Sequence, residues 1–281
     1  MPETFTFTSG ADALYELSTE ILPNKGDAVS PRGEDTFEIR GATIEITNPT
    51  DALCTGMGRM QNLKLAALEA LQLIGGFSDP QLMKRASPPM ARYMDGGVLT
   101  GAYGPRIASQ MPTVLRRLEN DPDTRQAIVT IWDPVQDLFR QHKDLPCTVY
   151  LSFYIRNDQL QMHTHMRSND IWLGWTYDVF QFTQLQCTVA NALDLYPGTY
   201  THYVDSLHIY ARDVEAARKL TKPESWNRDR VTGIRYGYDW TDIQARAYNI
   251  AYRDLGSDLI TDDADEWYSK RMESLWKTST Q

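Results

Sequence analysis

Residues 144–178, DLPCTVYLSFYIRNDQLQMHTHMRSNDIWLGWTYD, constrain the fold more than any other stretch of the chain. Residues 145–155 alternate and read as a strand, Asp158 marks a turn, and 160–166 read as a second strand. An Arg-Ser-x-Asp turn, a Leu-Gly step and a Tyr-Asp pair follow, and 177–193 have helical spacing with Phe180, Leu185, Val189, Ala190 and Leu193 inward. A Pro-Cys pair opens the first strand, so one thiol, Cys147, sits at an element boundary. Cys187 lies inside the helix and reads as a small core residue.

The 281 residues fit one large domain or two small ones, and no linker divides them, so a single domain over 1–281 is expected. Apolar residues make up 42%, enough for a sizeable core, and no run of 18 apolar residues is present to span a membrane. The start, MPETFTFTSG, lacks a basic stretch followed by an apolar one, so no signal peptide is expected. Three scattered cysteines make no disulfide framework and fit a reducing cytoplasm. A net charge of −9 argues against binding a nucleic-acid polymer, whose phosphates need a basic face. It does not argue against one mononucleotide, for which two or three local arginines suffice.

Along the rest of the chain, 11–22 form a short amphipathic piece, Arg32 sits in a Ser-Pro-Arg-Gly turn, and 36–46 alternate like a strand broken at Gly41. Residues 58–74 have helical spacing, with Met60, Leu63, Leu65, Leu68, Leu71 and Ile74 on one apolar face and Gly75-Gly76 at the end. Glu69 falls on that helix, and periodicity alone places it at the exposed edge. Residues 80–101 read as irregular, 107–118 as a helix, and Arg125 opens the strand QAIVTIW. Residues 200–210 read as a strand, 212–220 as a helix, and 221–281 are polar, rich in Tyr and Trp, and give no clear pattern. His163 and His165 share a strand face, but two histidines without a third ligand imply no metal site.

These motifs, in this order, resemble the thymidylate synthase family from about Ser30 to Asp213, most strongly over 120–213. The resemblance implies an α+β fold with one large mixed sheet and flanking helices. It also implies a homodimer packed through the sheet, with shared active sites. Cys147 matches the nucleophile that adds to C6 of a pyrimidine, which needs a thiolate and therefore nearby positive charge such as Arg167. Arg32, Arg167 and Ser168 match the phosphate grip of one subunit. Arg125 matches one of two arginines that reach in from the partner, and Gln126 stands at the second. His208 and Tyr210 match the pair that holds the sugar 3'-hydroxyl, although Ser206-Leu207 replace the usual Gly-Asp. Glu69 and Tyr103 match residues that organise water and move protons, which overturns the edge reading of Glu69. Asp170 matches the carboxylate that hydrogen-bonds the folate pterin, so 5,10-methylenetetrahydrofolate is the implied co-substrate. Two departures stand out: the chain ends RMESLWKTSTQ without the family's apolar tail, and SPPMARYMDGG lacks a Trp pair.

At the base-reading position the family usually carries Asn, and this chain carries Asp178. An Asn amide offers the donor and acceptor that uracil O4 and N3–H require. A carboxylate accepts from cytosine N4, and from N3 once that nitrogen is protonated. Asp178 also precedes the helix, where an N-cap role is physically sound too, and base reading is the favoured role. The pattern resembles the deoxycytidylate hydroxymethylase branch. The implied reaction starts with Cys147 adding to C6 of dCMP and C5 attacking the one-carbon unit. Tetrahydrofolate is lost, water adds to the exocyclic methylene, and Cys147 leaves. Methylation of dCMP or dUMP, hydroxymethylation of CMP, and a non-catalytic nucleotide-binding relative are the alternatives.

Overall fold

The strand pair around Asp158 lies within an eight-stranded mixed sheet in a computed structural model, which describes residues 3–55, 57–139, 142–223, 230–234 and 239–252 with 270 and 274. The strands are β1 (Thr4–Phe7), β2 (Asp27–Val29), β3 (Thr36–Ile46), β4 (Ile128–Thr130), β5 (Thr148–Arg156), β6 (Gln159–Met166), β7 (Asn169–Asp170) and β8 (Tyr196–Tyr210). The main order is β1-β3-β8-β6-β5-β4, with β2 beside β3 and β7 beside β8. Antiparallel pairs join β3 to β8, β5 to β6 and β4 to β5, whereas β1–β3 and β6–β8 are parallel. Asn157 and Asp158 make the β5–β6 turn with φ of 53° and 57°, the left-handed pair that a tight two-residue hairpin requires. Gly41, at φ 70°, does not break β3, whose register with β8 is unshifted on either side of it.

The helices are α1 (Gly10–Glu16), α2 (Leu22–Lys25), α3 (Leu63–Gly75), α4 (Pro80–Ala86), α5 (Tyr103–Ile107), α6 (Met111–Asn120), α7 (Trp175–Ala192), α8 (Ala211–Ala217) and α9 (Trp240–Tyr252). The parallel β6–β8 pair needs a crossover, and α7 supplies it. Trp175, Phe180, Phe182 and Leu185 of α7 are fully buried. Its glutamines fasten it to its surroundings: Gln186 Nε2 donates to the carbonyls of Leu160 and Gly198, and Gln184 Nε2 to that of Val231. Helix α3 packs against α7 and α9. No helix among the described residues is long and apolar enough to cross a membrane.

Several boundaries move from those expected. The first helix of the apolar face begins at Leu63, because the Asn62 side chain accepts from Leu65 N at 3.1 Å and caps it. Met60 is therefore outside the helix and 85% exposed. Residues 80–101 are not wholly irregular: Asp79 Oδ1 accepts from the Gln81 and Leu82 amides, and Pro80 opens α4. The stretch 107–118 divides into α5 and α6, and β4 starts three residues beyond Arg125. Helix α7 starts two residues before Tyr177. The terminal RMESLWKTSTQ lies outside the described residues except for Ser274.

Gly104 couples this frame to the site, because a Cβ there would meet Gln72 O at 2.3 Å and Phe77 O at 2.4 Å. Both are backbone atoms and cannot rotate away. Gly104→Ala is expected to cost about 1–3 kcal/mol of stability through overpacking, read as a lower urea midpoint. An unchanged midpoint would show that α3 and α5 are not in such close contact.

Candidate active site

The backbone turn before β5 carries Cys147 to the edge of a cavity between α3, α5 and α7. Leu65, Leu73, Phe77, Met83 and Leu99 supply apolar walls. Glu69, Tyr103, Cys147 and Asp178, separated by up to 109 positions in sequence, line this one space. Asp144 and Gln181 line it too. Tyr103 opens α5 and stacks on Phe182, with ring centroids 6.0 Å apart.

Asp178 is not the helix cap; Gly174 holds that position, and Asp178 lies in the first turn of α7. Its Oδ2 accepts from Asn169 Nδ2 at 2.7 Å and its Oδ1 from Gln181 Nε2 at 3.0 Å. Burial disfavours the charged form and raises its pKa to about 7, against the two hydrogen bonds that favour the carboxylate. Gly174 keeps the approach narrow yet open: a Cβ there would lie 3.2 Å from Asp178 Oδ2.

Glu69 is raised further, to about 8, first by burial and then by the charges of Asp178 and Asp144. Its Oε2 is buried with no hydrogen-bond partner among the described residues, and Glu69 lines the cavity rather than the exposed edge of α3. An orphaned buried carboxyl is costly, and a proton is the cheapest relief. Burial and the negative charge of Asp178 likewise hold the Tyr103 phenol well above its ordinary value.

The Cys147 thiol is pushed up by burial, pulled down by Arg167, raised by Asp178 and Asp144, and lowered by Arg32. The arginines act in the direction expected, but burial outweighs them. Arg167 Nε donates to Pro146 O at 3.0 Å, and its own amide donates to Cys147 O at 2.9 Å. It thus clasps the backbone on both sides of the thiol. Arg32 is exposed in a turn with φ 56°, and the neighbouring Glu34 pairs with Arg212 in the first turn of α8. Ser168 is half-buried just past β6.

Asp170 and His208 are register partners across β7 and β8, and the His208 and Tyr210 rings meet edge-on at 5.4 Å. Asp170 Oδ1 accepts from the Trp172 and Leu173 amides, while its Oδ2 is buried without a hydrogen-bond partner among the described residues. Arg125 is exposed and does not line the cavity, and Gln126 is occupied as the acceptor of Arg117 Nη1 at 2.6 Å. His163 and His165 stack with Tyr154, Tyr150 and Tyr203 on the sheet face opposite the buried Met162 and Thr164. Asn169, Gln181 and Asp144 were not among the site residues expected. The signals were their positions: one inside Arg-Ser-x-Asp, one a helical turn after Asp178, and one directly before Leu-Pro-Cys.

A family profile described as thymidylate synthase matches residues 100–252. The chain is 33% identical over 237 residues to the deoxyuridylate hydroxymethyltransferase of Bacillus phage SP01, covering 78% of this chain and 61% of that one. It thus spans about three fifths of that relative's length. Against the deoxyuridylate hydroxymethyltransferase of Pseudomonas phage M6 it is 30% identical over 269 residues, covering 93% and 72%. The solved thermostable thymidylate synthase A from Bacillus subtilis superposes with a TM-score of 0.61 at 19% identity, over 76% of this chain and 85% of that one. That likeness bears out the α+β fold with its large mixed sheet and flanking helices.

The pKa of Glu69 makes a pH prediction. Its folded value of about 8 lies above its ordinary value of about 4.3, so the folded state binds the extra proton. That contribution is full at pH below about 4 and is lost as pH rises toward 8. Glu69→Gln should therefore gain stability relative to wild type between pH 5 and 8, with the difference levelling above about pH 9. Urea midpoints across that range measure it; a pH-independent difference would mean that Glu69 ionises normally.

Proposed function

This chain belongs to the thymidylate synthase family, and from that premise we propose that it hydroxymethylates C5 of a pyrimidine deoxynucleotide, with dCMP as the substrate. The observation that carries the choice of base is the Asp178 carboxyl, which faces the cavity beside Cys147. Its two oxygens are held by Asn169 and Gln181, so the group is oriented before a base arrives. Each oxygen retains a lone pair for the substrate. Cytosine N4–H donates to one oxygen, and a proton shared between N3 and the other completes the pair. A proton at N3 also draws electrons from C6, where the Cys147 sulfur adds.

The other residues divide the work by position. Arg32, Arg167 and Ser168 take the 5'-phosphate, and His208 and Tyr210 the sugar. The phosphate-binding arginines are also those that lower the Cys147 pKa. Glu69 and Tyr103 move protons at the far side of the ring. Methylenetetrahydrofolate supplies the one-carbon unit, and Asp170 Oδ2 is the acceptor for its pterin. A homodimer, packed through the tyrosine- and histidine-bearing sheet face, would bring Arg125 to the partner's phosphate. The reaction is cytosolic in this reading, in a phage host if a phage encodes the chain.

A second reading, hydroxymethylation of dUMP, is favoured by the names of the two phage relatives. It needs a protonated Asp178, whose one donor and one acceptor suit uracil O4 and N3–H. With a pKa of about 7 in the free protein, dUMP turnover by this route would fall as pH rises through neutrality.

Asp178→Asn separates the two. On the dCMP reading the substitution lowers the dCMP to dUMP ratio of kcat/KM by about tenfold to several hundredfold, from ~1–3 kcal/mol per mismatched polar contact. A wild type that already prefers dUMP would overturn the cytosine assignment, as would a ratio that the substitution does not move.

The shared site has its own test. Arg125→Ala should raise the nucleotide KM, and Cys147→Ser should abolish turnover with nucleotide binding retained. Mixing the two variants, after subunit exchange, should restore activity beyond the sum of the separate proteins. No recovery after verified exchange would count against Arg125 acting across a dimer.

A further inference from the structure

The reaction proposed above ends with a water adding to carbon, and neither Cys147 nor Asp178 is free to activate that water. Cys147 is then bonded to C6, and Asp178 is paired with the base. Glu69 carries a proton below about pH 8, so it enters as an acid rather than a base. A fourth group remains in the cavity. Asp144 stands three residues before Cys147 and lines the same space as Cys147, Glu69 and Tyr103.

We propose that Asp144 is the general base of the hydration step, taking a proton from the water whose oxygen bonds to the exocyclic methylene carbon at C5.

The residue is mounted for this. Gly101 N donates to Asp144 Oδ2 at 2.9 Å, and Thr100 Oγ1 donates to its backbone carbonyl at 3.2 Å. Oδ2 is thereby fixed, and among the described residues none donates a hydrogen bond to Oδ1 that would compete with a water. Gly101 fits closely against it: a Cβ at that position would lie 2.7 Å from Asp144 O and 3.0 Å from Oδ1. The amide of Gly101 and the charge of Arg106 favour the carboxylate, against burial and the charges of Asp95 and Asp137, which raise its pKa. Asp144 in turn is one of the charges that keep the proton on Glu69. Burial raises both carboxyls, but Asp144 has the Gly101 amide and Arg106 to favour its charged form, whereas Glu69 Oε2 has no hydrogen-bond partner among the described residues; that difference fits Asp144 for the base and Glu69 for the acid.

The water oxygen forms a bond to the methylene carbon while its proton goes to Asp144. The methylene π pair moves into the ring at C5, re-forms C5=C6 and expels Cys147 as a thiolate. The proton on Asp144 then returns to that sulfur, leaving a hydroxymethyl nucleotide and a free thiol. No oxidant or reductant is consumed.

This assignment rests on hydroxymethylation being the reaction, so wild type is measured first. The full chain is given 5-tritiated dCMP, or dUMP, with methylenetetrahydrofolate and 2-mercaptoethanol. Tritium release reports formation of the exocyclic methylene, and mass spectrometry of the nucleotide reports its fate. Wild type should yield hydroxymethyl nucleotide in step with tritium. Asp144→Asn should lower the ratio of hydroxymethyl product to tritium by about hundredfold or more, the usual yield of a positioned base. The thioether of 2-mercaptoethanol should take its place. Gly101→Ala, which displaces the intact carboxyl, should lower the same ratio and guards against a folding defect in the first variant. The proposal is overturned if the ratio keeps its wild-type value in folded variants, whether both rates fall together or neither changes. A wild type that makes methyl nucleotide or none refutes the underlying reaction, and does so before any substitution is read.

Discussion

The hydrogen bond from Asn169 Nδ2 to Asp178 Oδ2, at 2.7 Å, joins the two halves of the architecture. Asn169 belongs to a two-residue strand fixed on β8, and Asp178 to the first turn of the buried helix α7. The bond therefore sets the angle at which the Asp178 carboxyl meets the cavity, and β8 carries His208 and Tyr210 in the same frame. Gln181, one helical turn on, restrains the other oxygen. A buried carboxyl with both oxygens held has little freedom to adapt. In the proposed function it discriminates among bases through the donor and acceptor pattern it imposes, because an unmatched polar contact costs about 1–3 kcal/mol.

Burial raises Glu69, Tyr103, Asp144, Cys147 and Asp178 alike. At Cys147 it works against a ready thiolate. Arg167 and Arg32 oppose this at Cys147, and Arg167 also clasps the Pro146 carbonyl. In the proposed function the nucleotide brings a phosphate to those arginines and an N3 to Asp178, so the substrate changes the proton balance of the pocket that receives it.

Much of this was legible in the sequence because local rules applied. The β5–β6 hairpin, the Gly76 stop of α3 and the run of buried residues in α7 follow from alternation, left-handed glycine and periodicity. Cys147, Glu69, Tyr103 and Asp178 were each expected at the site, and the fold assembles all four around one cavity. What escaped were features set by single side-chain caps and by contacts between distant segments. Asn62 moves the start of α3 and expels Met60; Asp79 turns an irregular stretch into α4. The Asp144–Gly101 contact joins segments 43 positions apart, and no periodicity in either could announce it. Arg125 is the converse case: its expected role depends on a second chain, and within this one it simply faces outward.

The most direct test of the account is to arrest the reaction on Cys147. Fluorine at C5 cannot leave as a proton does, so a nucleotide carrying it should remain covalently attached once the one-carbon unit has been transferred. The protein is incubated with methylenetetrahydrofolate and either 5-fluoro-dCMP or 5-fluoro-dUMP, and the intact mass and Cys-containing peptides are followed with time. The account predicts an adduct of nucleotide and folate on the Cys147 peptide, formed faster with 5-fluoro-dCMP. An adduct absent from Cys147, or one formed faster with 5-fluoro-dUMP, would contradict it.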